Sequence, residues 1–376
     1  MIIIIFIWIA ILLFKVLSAL RVLHTPQPEI SCSLTGVTIM QPILSGDPVL
    51  ESVLASNLEN LHDAEFIWLI DTDDTEASRI TRNLQARFPQ NNIRIYSFPR
   101  APEGINPKLF KLEKGRKLAD TGIVLVLDDD AILTAEALRT MLGELNDNNL
   151  VTALPRYHAA VNNKPSYLLA QFVNDNSALT YLPLLPFSGP LTLNGMCYVL
   201  RLSVLGRIGG FAPIMHYLTD DLALATLLKH KDVSIVQSVA SVTVQTSVPD
   251  AGRYFRQMHR WFLFATLLLR EKSAGINLMI FILQGLHPLL LWALFIFGLS
   301  SGITGEMMLI SVLLIRHCLL RRVQRAVSPS IPAHPFLSVL SELLQPVHLV
   351  NALFNRRIYW RSRRYRIFSN DHFVSL

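Results

Sequence analysis

Long uncharged stretches near both ends of the chain enclose a middle region in which strand and helix patterns alternate. The first stretch, Met1–Phe14, carries no charged residue, and its apolar character continues to Leu20. A helix of this length can cross a bilayer core of about 30 Å. No basic segment precedes it and no small-residue cleavage site follows it, so we interpret residues 1–21 as a retained transmembrane anchor. Lys15 and Arg21 then predict that the following region is cytoplasmic.

A second uncharged stretch, Ser273–Gly305, lies in the C-terminal part of the chain. We expect Ile276–Leu299 to span the bilayer and a turn to follow. Met307–Leu320 is then expected to return as a shorter helix interrupted by Arg316. Residues 273–320 are therefore predicted to form a transmembrane hairpin.

A third apolar stretch, Pro335–Phe354, contains Glu342 and His348. If it crossed the membrane, the six arginines within Arg356–Arg366 would lie outside, against the positive-inside rule. We therefore predict that residues 331–376 form an interfacial helix and an Arg-rich cytoplasmic tail. Together these features predict a multi-pass protein of the cell (inner) membrane.

The middle region, residues 35–272, alternates short apolar strands with amphipathic helices. The predicted strands are Gly36–Met40, Glu65–Asp71, Ile93–Phe98 and Ile123–Leu127, and the helices between them are Asp47–His62, Glu76–Phe88 and Pro107–Ala119. This order predicts an α/β domain with a doubly wound parallel sheet. Ligands of such sheets bind at the carboxyl ends of the strands.

Composition and charge support membrane association. The chain is 51% hydrophobic and only 16% charged, whereas soluble domains carry about 25% charged residues. The net charge is +6, and the segment Arg316–Arg366 alone holds ten arginines against one acid. A basic excess beside a hydrophobic region favours anionic lipid headgroups over nucleic acid. The three cysteines are too far apart to indicate a metal site or a disulfide framework.

Two groups of aspartates follow predicted strands. They are Asp71, Asp73 and Asp74, and Asp128, Asp129 and Asp130. Because both follow strands of a parallel sheet, we expect them on the same edge. Asp128 and Asp130 could share one divalent cation with diphosphate oxygens. Helix capping is the alternative, since Thr134 and Glu136 open the next helix, but capping does not require three adjacent acids.

Two further motifs carry candidate chemistry. Asp220 and Asp221 begin an amphipathic helix, where either could cap the helix or act as general base toward an acceptor hydroxyl. Gln257, Arg260 and Trp261 share one face of a later helix. The arginine could neutralise a diphosphate and the tryptophan could offer a flat wall to a sugar or lipid, although an interfacial helix with an aromatic anchor has the same pattern. No GxGxxG or Walker A sequence is present.

In this order, the motifs resemble those of ceramide glucosyltransferases and their bacterial relatives in glycosyltransferase family 21, which is related to family 2. The matching segments are Asp74, Asp128, Asp221 and Gln257-Met-His-Arg260-Trp261, together with Gly104-Ile-Asn-Pro-Lys108, Asn194-Gly-Met196 with Gly209-Gly210, and Trp360-Arg361-Ser-Arg-Arg364-Tyr365-Arg366. The resemblance covers nearly the whole chain. It implies a GT-A-type nucleotide-sugar-binding domain with a mixed sheet and membrane helices at both ends.

The resemblance also implies roles on the donor side. Asp74 would orient the nucleotide base or ribose, and Lys108 and Pro42 would lie near the donor. Asp128 and Asp130 would hold Mg²⁺ or Mn²⁺ on the diphosphate. One departure is that the family's Lys-Pro pair is Gln41-Pro42 here, which removes a cation near the nucleotide.

On the transfer side, the resemblance makes Asp221 the base that deprotonates a lipid hydroxyl, with inversion at the anomeric carbon. Arg260, beside Gln257 and Trp261, would stabilise the departing nucleoside diphosphate. The tail would contact the lipid interface through Trp360, Arg361, Arg364, Tyr365 and Arg366. The partners that the resemblance implies are a nucleotide-sugar donor, in its uridine diphosphate form, a membrane lipid acceptor and the bilayer, without nucleic acid.

The acceptor and two other functions stay open. Tyr181–Pro190 does not match the ceramide enzymes, so the acceptor is a ceramide-like lipid, a hopanoid or another lipid. A processive polysaccharide synthase also uses the Q-x-x-R-W motif but needs more membrane helices than the three expected here. A catalytically silent protein that binds a nucleotide sugar or lipid would not require carboxylates at all three aspartate positions.

Overall fold

The computed structural model describes residues 1–26, 33–360 and 363–375. The strands of its main sheet are β1 (Val37–Pro42), β2 (Glu65–Asp71), β3 (Asn92–Phe98), β4 (Ile123–Leu127), β5 (Ala131–Ile132), β6 (Asn149–Ala159), β7 (Cys197–Arg201) and β8 (Ser234–Thr246). Their spatial order is β3-β2-β1-β4-β7-β6-β8-β5. The first four strands are parallel, as the sequence predicts. Strand β7 runs antiparallel to β4 and β6, so the sheet as a whole is mixed.

Helices cover both faces of this sheet. They are α2 (Leu50–Asn60), α3 (Thr75–Arg87), α4 (Pro107–Gly115), α5 (Ala135–Glu144), α6 (Lys164–Tyr181), α7 (Leu202–Arg207), α8 (Asp220–His230) and α9 (Ala251–Glu271). Alternate side chains of each strand enter opposite cores: Phe66 and Trp68 of β2 pack with α2, α3, α5, α6 and α9, whereas Ile67 and Leu69 pack with α4, α7 and α8. Because both strand faces are buried, the strands are continuous apolar runs.

Among the residues that the structure describes, four helical segments are long and apolar enough to cross a membrane. The segments are α1 (Ile2–Leu23), the continuous run Ala274–Ser300 made of α10 (Ala274–Ile280), a π-helical turn and α11 (Leu286–Ser300), then α12 (Gly302–Val327) and α13 (Pro335–Phe354). Three of these segments coincide with the predicted anchor and hairpin, and their crossing of a membrane stays a prediction. Helix α13 is the segment predicted to lie at the interface, and its non-crossing stays a prediction.

Helix α12 corrects one detail of the predicted hairpin. It has 26 residues and is not a short helix interrupted by Arg316. Arg316 is buried, and its Nε lies 2.7 Å from Glu342 Oε2 of α13. The other Glu342 oxygen lies 2.7 Å from His287 Nδ1 of α11. Because the buried charges pair with each other, the arginine does not interrupt the helix.

The tail contains a small sheet that the sequence did not predict. Its strands are β9 (Arg357–Trp360), β10 (Arg363–Ile367) and β11 (Phe373–Ser375), paired antiparallel in the order β11-β10-β9. Ile358 and Ile367 are buried against Leu218, which precedes α8, against Leu222 of α8 and against Leu263 of α9. The tail is therefore packed on the α/β domain.

Candidate active site

Most of the predicted functional residues of the domain converge on one cavity of about 620 Å³, which we call the central cavity. The segment after β4, the N-termini of α4 and α8, and one face of α9 surround it. The predicted residues that line it are Lys108, Asp128, Asp130, Asp221, Gln257, Arg260 and Trp261. The sequence motifs are spread over more than a hundred positions, so the fold is what brings them together.

Lys108 connects two acidic segments at this cavity. Asn106 begins α4 by accepting a hydrogen bond from the Lys108 backbone N–H at 3.0 Å, which fixes the first turn. Lys108 Nζ lies 2.7 Å from Asp128 Oδ1 and 2.9 Å from Asp220 Oδ2. It also donates to the Gly195 carbonyl at 2.8 Å. Burial opposes the charge, but the two carboxylates outweigh it and hold the pKa of Lys108 well above its usual value.

The acids after β4 fit a divalent cation. Asp130 Oδ1 is buried and has no hydrogen-bond partner among the described residues. Burial, followed by the charges of Asp128 and Asp129, raises the pKa of Asp130 well above its usual range. Such an oxygen would be stabilised by a cation. Thr134 caps α5 through the Ala137 N–H, so the capping alternative for these acids is not needed.

The protein side chains at this position are too few to bind a metal ion by themselves. In the part of the chain that the structure describes, no three His, Cys, Asp or Glu side chains form a group suited to a metal ion. Asp129 Oδ2 accepts from the Leu44 N–H at 2.7 Å and holds the loop after β1. Asp128 and Asp130 are thus the residues that would hold Mg²⁺ or Mn²⁺, with phosphate oxygens of a ligand completing the shell.

Asp221 has the environment of a general base. It is the second residue of α8, and Thr219 precedes the helix without a side-chain capping bond. The Asp221 Oδ1 accepts from the N–H of the next residue, Leu222, at 2.8 Å. Burial first, and the Asp220 charge second, raise the pKa of Asp221 to about 7. A carboxylate with this pKa can both accept and release a proton near neutral pH.

Gly195 allows the loop before β7 to approach these acids. A Cβ at this position would lie 3.1 Å from the Asp221 Cβ and 3.4 Å from Asp220 Oδ2. Any side chain would therefore push against the N-terminus of α8. The sequence identified the Asn194-Gly-Met196 segment but not Asp220 as a partner of Lys108, because nothing local connects positions so far apart.

Helix α9 supplies a cation and an aromatic wall. Arg260 Nη2 donates to Gln257 Oε1 at 3.0 Å, one turn earlier on the same face. The Trp261 ring packs against Tyr157 and Phe172, at centroid distances of 5.9 and 6.3 Å. Gln257, Arg260 and Trp261 do share one face of α9, and this face lines the central cavity.

A second cavity of about 400 Å³, the rim cavity, lies at the carboxyl ends of β1 and β2. The first acid cluster lines it. Asp74 accepts from the Ala77 N–H and the Ser45 N–H, both at 2.9 Å, so it caps α3 and holds the loop after β1. Burial opposes ionisation of Asp74, but these hydrogen bonds lower its pKa. Pro42 is buried at the end of β1 and lines neither cavity.

The predicted interface residues of the tail have different positions. Tyr365, predicted to lie at the lipid interface, lines the rim cavity together with Phe373. Arg366 is exposed and lies over the Phe368 ring at 5.3 Å. Arg361 and the side chains of Trp360 and Arg364 lie outside the described residues. The tail motif could have indicated Tyr365, but no sequence signal marked Phe373.

A mixed α/β sheet with clustered carboxylates at its strand ends, an Arg-Trp helix beside them and apolar helices at both ends defines a GT-A-type glycosyltransferase associated with membranes. Residues 1–373 match the model of "Glycosyl transferase family 21", and the chain belongs to this family. It is therefore an enzyme of the hexosyltransferase type that takes sugar from a nucleotide sugar.

Two solved structures are similar to this chain. The mannosyltransferase PcManGT from Pyrobaculum calidifontis, in complex with GDP-Man and Mn²⁺, matches with a TM-score of 0.50 and 15% identity, over 93% of this chain and 98% of that chain. S. aureus TarS 1-349, in complex with UDP-GlcNAc, matches with a TM-score of 0.35 and 11% identity, over 89% of this chain and 97% of that chain. The first likeness shows the shared fold.

Proposed function

We propose that this enzyme is an inverting, metal-dependent hexosyltransferase that transfers a hexose from a nucleotide sugar, most simply a UDP-sugar, to the hydroxyl of a membrane lipid. The observation that carries the proposal is the convergence of Asp128, Asp130, Asp221 and Arg260 on one cavity. These groups supply a cation site, a base and a counter-charge, which are the three requirements of the reaction.

The residues divide the chemistry among them. Asp221 accepts the proton of the acceptor hydroxyl while the hydroxyl oxygen bonds to the anomeric carbon. The bond from that carbon to the nucleoside diphosphate breaks on the opposite face, so an α-linked donor gives a β-glycoside. Arg260 and Lys108 offset the negative charge that develops on the leaving diphosphate. A Mg²⁺ or Mn²⁺ held by Asp128 and Asp130 would add further charge stabilisation.

The walls of the central cavity support a lipid acceptor. Its apolar side includes Phe172, Leu222, Phe264 and Leu268. Helix α9, which carries Phe264 and Leu268, ends directly before the segment Ala274–Ser300 that can cross a membrane. A lipid hydroxyl could thus reach Asp221 while its apolar chains stay beside the membrane helices.

The loop that departs from the ceramide enzymes also contacts the membrane part. Phe187, within the segment 181–190, stacks on Phe14 of α1 at a centroid distance of 6.3 Å. Lys272 Nζ donates to the Leu191 carbonyl at 2.9 Å, which connects the same loop to the end of α9. This segment therefore lies where it could select among ceramide-like, hopanoid and other lipids.

The contacts of the tail support a cytoplasmic orientation with α13 at the interface. Helices α10 to α12 form a hairpin that leaves the domain and returns to it. The tail after α13 is bonded to the domain again: the Leu218 N–H donates to the Asn370 carbonyl at 2.9 Å. Since the tail and the domain must lie on the same side, an even number of crossings must separate them, which favours Ala274–Ser300 and α12 as the two spanning segments after the domain. Helix α1 would cross before the domain begins. The positive-inside rule then favours the cytoplasm for the Arg-rich side.

Membrane lipids from cells with and without the protein should be compared by mass spectrometry, followed by a UDP-sugar screen with the purified enzyme. A hexosylated lipid that depends on the protein, and that is absent with the Asp221→Asn variant, is the expected result. A soluble polymer would indicate a polysaccharide synthase. Binding of the donor without any turnover would indicate a silent binding protein.

A further inference from the structure

The rim cavity is closed on one side by the C-terminal sheet, which is the part of the chain most distant from it in sequence. We infer that Tyr365 and Phe373 form an aromatic wall against which the base of the nucleotide donor packs, so that the tail is a part of the donor site. The inference rests on the proposed function in that the donor is a nucleotide sugar. It assigns the two rings a role in nucleotide affinity, not in membrane anchoring.

The remaining walls of the rim cavity have the polarity that a nucleoside requires. Asp71, Asp73 and Asp74 line it at the carboxyl end of β2, where open α/β sheets bind their ligands. Ionised carboxylates accept hydrogen bonds from ribose hydroxyls and from N–H groups of a base. Arg100, on the loop after β3, also lines the cavity and pairs with Asp73. The cavity thus has acidic acceptors and a flat apolar side.

The aromatic side is built by strand alternation. Ile367 is paired with Phe373 across β10 and β11, and Tyr365 lies two residues before Ile367 on the same face. The Tyr365 and Phe373 rings meet edge to face, with centroids 5.7 Å apart and an interplanar angle of 75°. Stacking of a base on an aromatic side chain contributes about 1–3 kcal/mol. A pair of rings in fixed mutual geometry is suited to this contact.

The wall is held firmly against the catalytic elements. Asn370 is 5% exposed, and its Oδ1 accepts from the Thr219 N–H at 2.9 Å and from the Thr219 hydroxyl at 2.6 Å. Arg270 of α9 donates to the Phe368 carbonyl at 2.9 Å. His259 Nε2, also on α9, lies 3.0 Å from the Arg357 carbonyl oxygen. The small sheet is thus fixed to α8 and α9, the helices that carry Asp221 and Arg260.

The rim cavity and the central cavity are connected at two places, one by neighbouring residues in the sequence and one by a hydrogen bond. Pro107 lines the rim cavity and the next residue, Lys108, lines the central cavity. Leu44 lines the rim cavity, and its N–H is held by Asp129, which lines the central cavity. A nucleoside in the rim cavity would therefore extend its diphosphate toward Lys108 and Asp128. This continuity favours a nucleoside diphosphate over a free sugar or a lipid headgroup as the occupant.

The test is calorimetric binding of UDP, GDP and inorganic pyrophosphate to the purified full-length enzyme with Mg²⁺ present. Tyr365→Ala and Phe373→Ala should each weaken binding of the preferred nucleotide by about 5- to 150-fold, which is the range of one stacking contact. Pyrophosphate binding should stay within about twofold, because pyrophosphate does not reach the rings. Tyr359→Ala is the matched control, since Tyr359 is exposed and follows the buried Ile358 on β9. It should bind like the unchanged enzyme.

Three further variants keep the test decisive if an alanine variant folds poorly. Tyr365→Phe and Phe373→Tyr keep the rings and should bind nucleotide like the unchanged enzyme, while Tyr365→Leu keeps apolar volume and should bind weakly. Unchanged nucleotide affinity in Tyr365→Leu and Phe373→Ala would overturn the inference and leave the proposed function standing. If the unchanged enzyme binds neither UDP nor GDP, both the proposed donor class and the aromatic wall are wrong.

Discussion

Replacement of Asp221 by asparagine is the sharpest test of the proposed chemistry. The change keeps the size of the side chain and removes its ability to accept a proton. Loss of a general base lowers the rate by about 10²–10⁴-fold, which corresponds to about 3–5 kcal/mol in the activation barrier. Nucleotide affinity should change less than about twofold, because Lys108 Nζ is bonded to Asp128 and Asp220 and not to Asp221.

The pH dependence of the activity is a second, independent test of Asp221 as the base. Burial raises the pKa of Asp221 to about 7, and only the ionised form can act as a base. Activity of the unchanged enzyme should therefore rise about tenfold per pH unit below pH 6 and become level above pH 8. Asp221→Asn should lose this rise along with the rate.

The thermal stability of the Asp221→Asn variant shows whether its activity is lost through the chemistry or through unfolding. A folded-state pKa above the unfolded value of 3.8 means that the folded protein binds the proton more tightly, so the unchanged enzyme loses stability as the pH rises from about 4 to 7. The asparagine variant has no such loss and should be at least as stable at pH 8. Its melting temperature in detergent should be equal or higher.

The assay is transfer of labelled hexose into the lipid fraction, measured from pH 5 to 9. Asp120→Asn is the control, because Asp120 carries a side chain that is 79% exposed and paired with Arg94. It should transfer sugar at the unchanged rate. If Asp221→Asn also transfers at that rate with the same pH profile, Asp221 is not the base, and Asp220 becomes the next candidate.

Three other predictions follow from the structure. Asp128→Ala and Asp130→Ala should each abolish transfer and weaken Mn²⁺ binding measured directly by calorimetry; full activity of both variants in excess chelator would contradict the cation site. A single cysteine at position Ser369, in a background without the native cysteines, should resist an impermeant maleimide in intact cells, and labelling from outside would contradict the cytoplasmic tail. Glu342→Gln removes the closer of the two carboxylates beside buried Arg316, which lies 2.7 Å from Glu342 and 3.9 Å from Asp175, and should cost up to about 3–5 kcal/mol, seen as a lower melting temperature. Glu306→Gln on the exposed side of α12 should melt unchanged.

The sequence by itself determined the parts of this protein that depend on local pattern. Apolar runs predicted Glu65–Asp71 and Ile123–Leu127 with their observed bounds, because strands buried on both faces need continuous apolar residues. Parallel strands of the same sheet end at the same edge, so the two acid clusters could be assigned to one rim. The spacing of Gln257, Arg260 and Trp261 at i, i+3 and i+4 likewise placed them on a common helix face.

Only the tertiary structure decided which distant groups meet. Lys108 bonds to Asp220 more than a hundred positions away, and no periodicity relates them. The arginine in α12 was interpreted as an interruption because its partner Glu342 lies on another helix. Tyr365 belongs to a short strand whose charged residues gave no pattern, and its position at the rim cavity depends on Asn370 bonding to the start of α8. Such contacts form after distant segments pack, and local sequence carries no record of them.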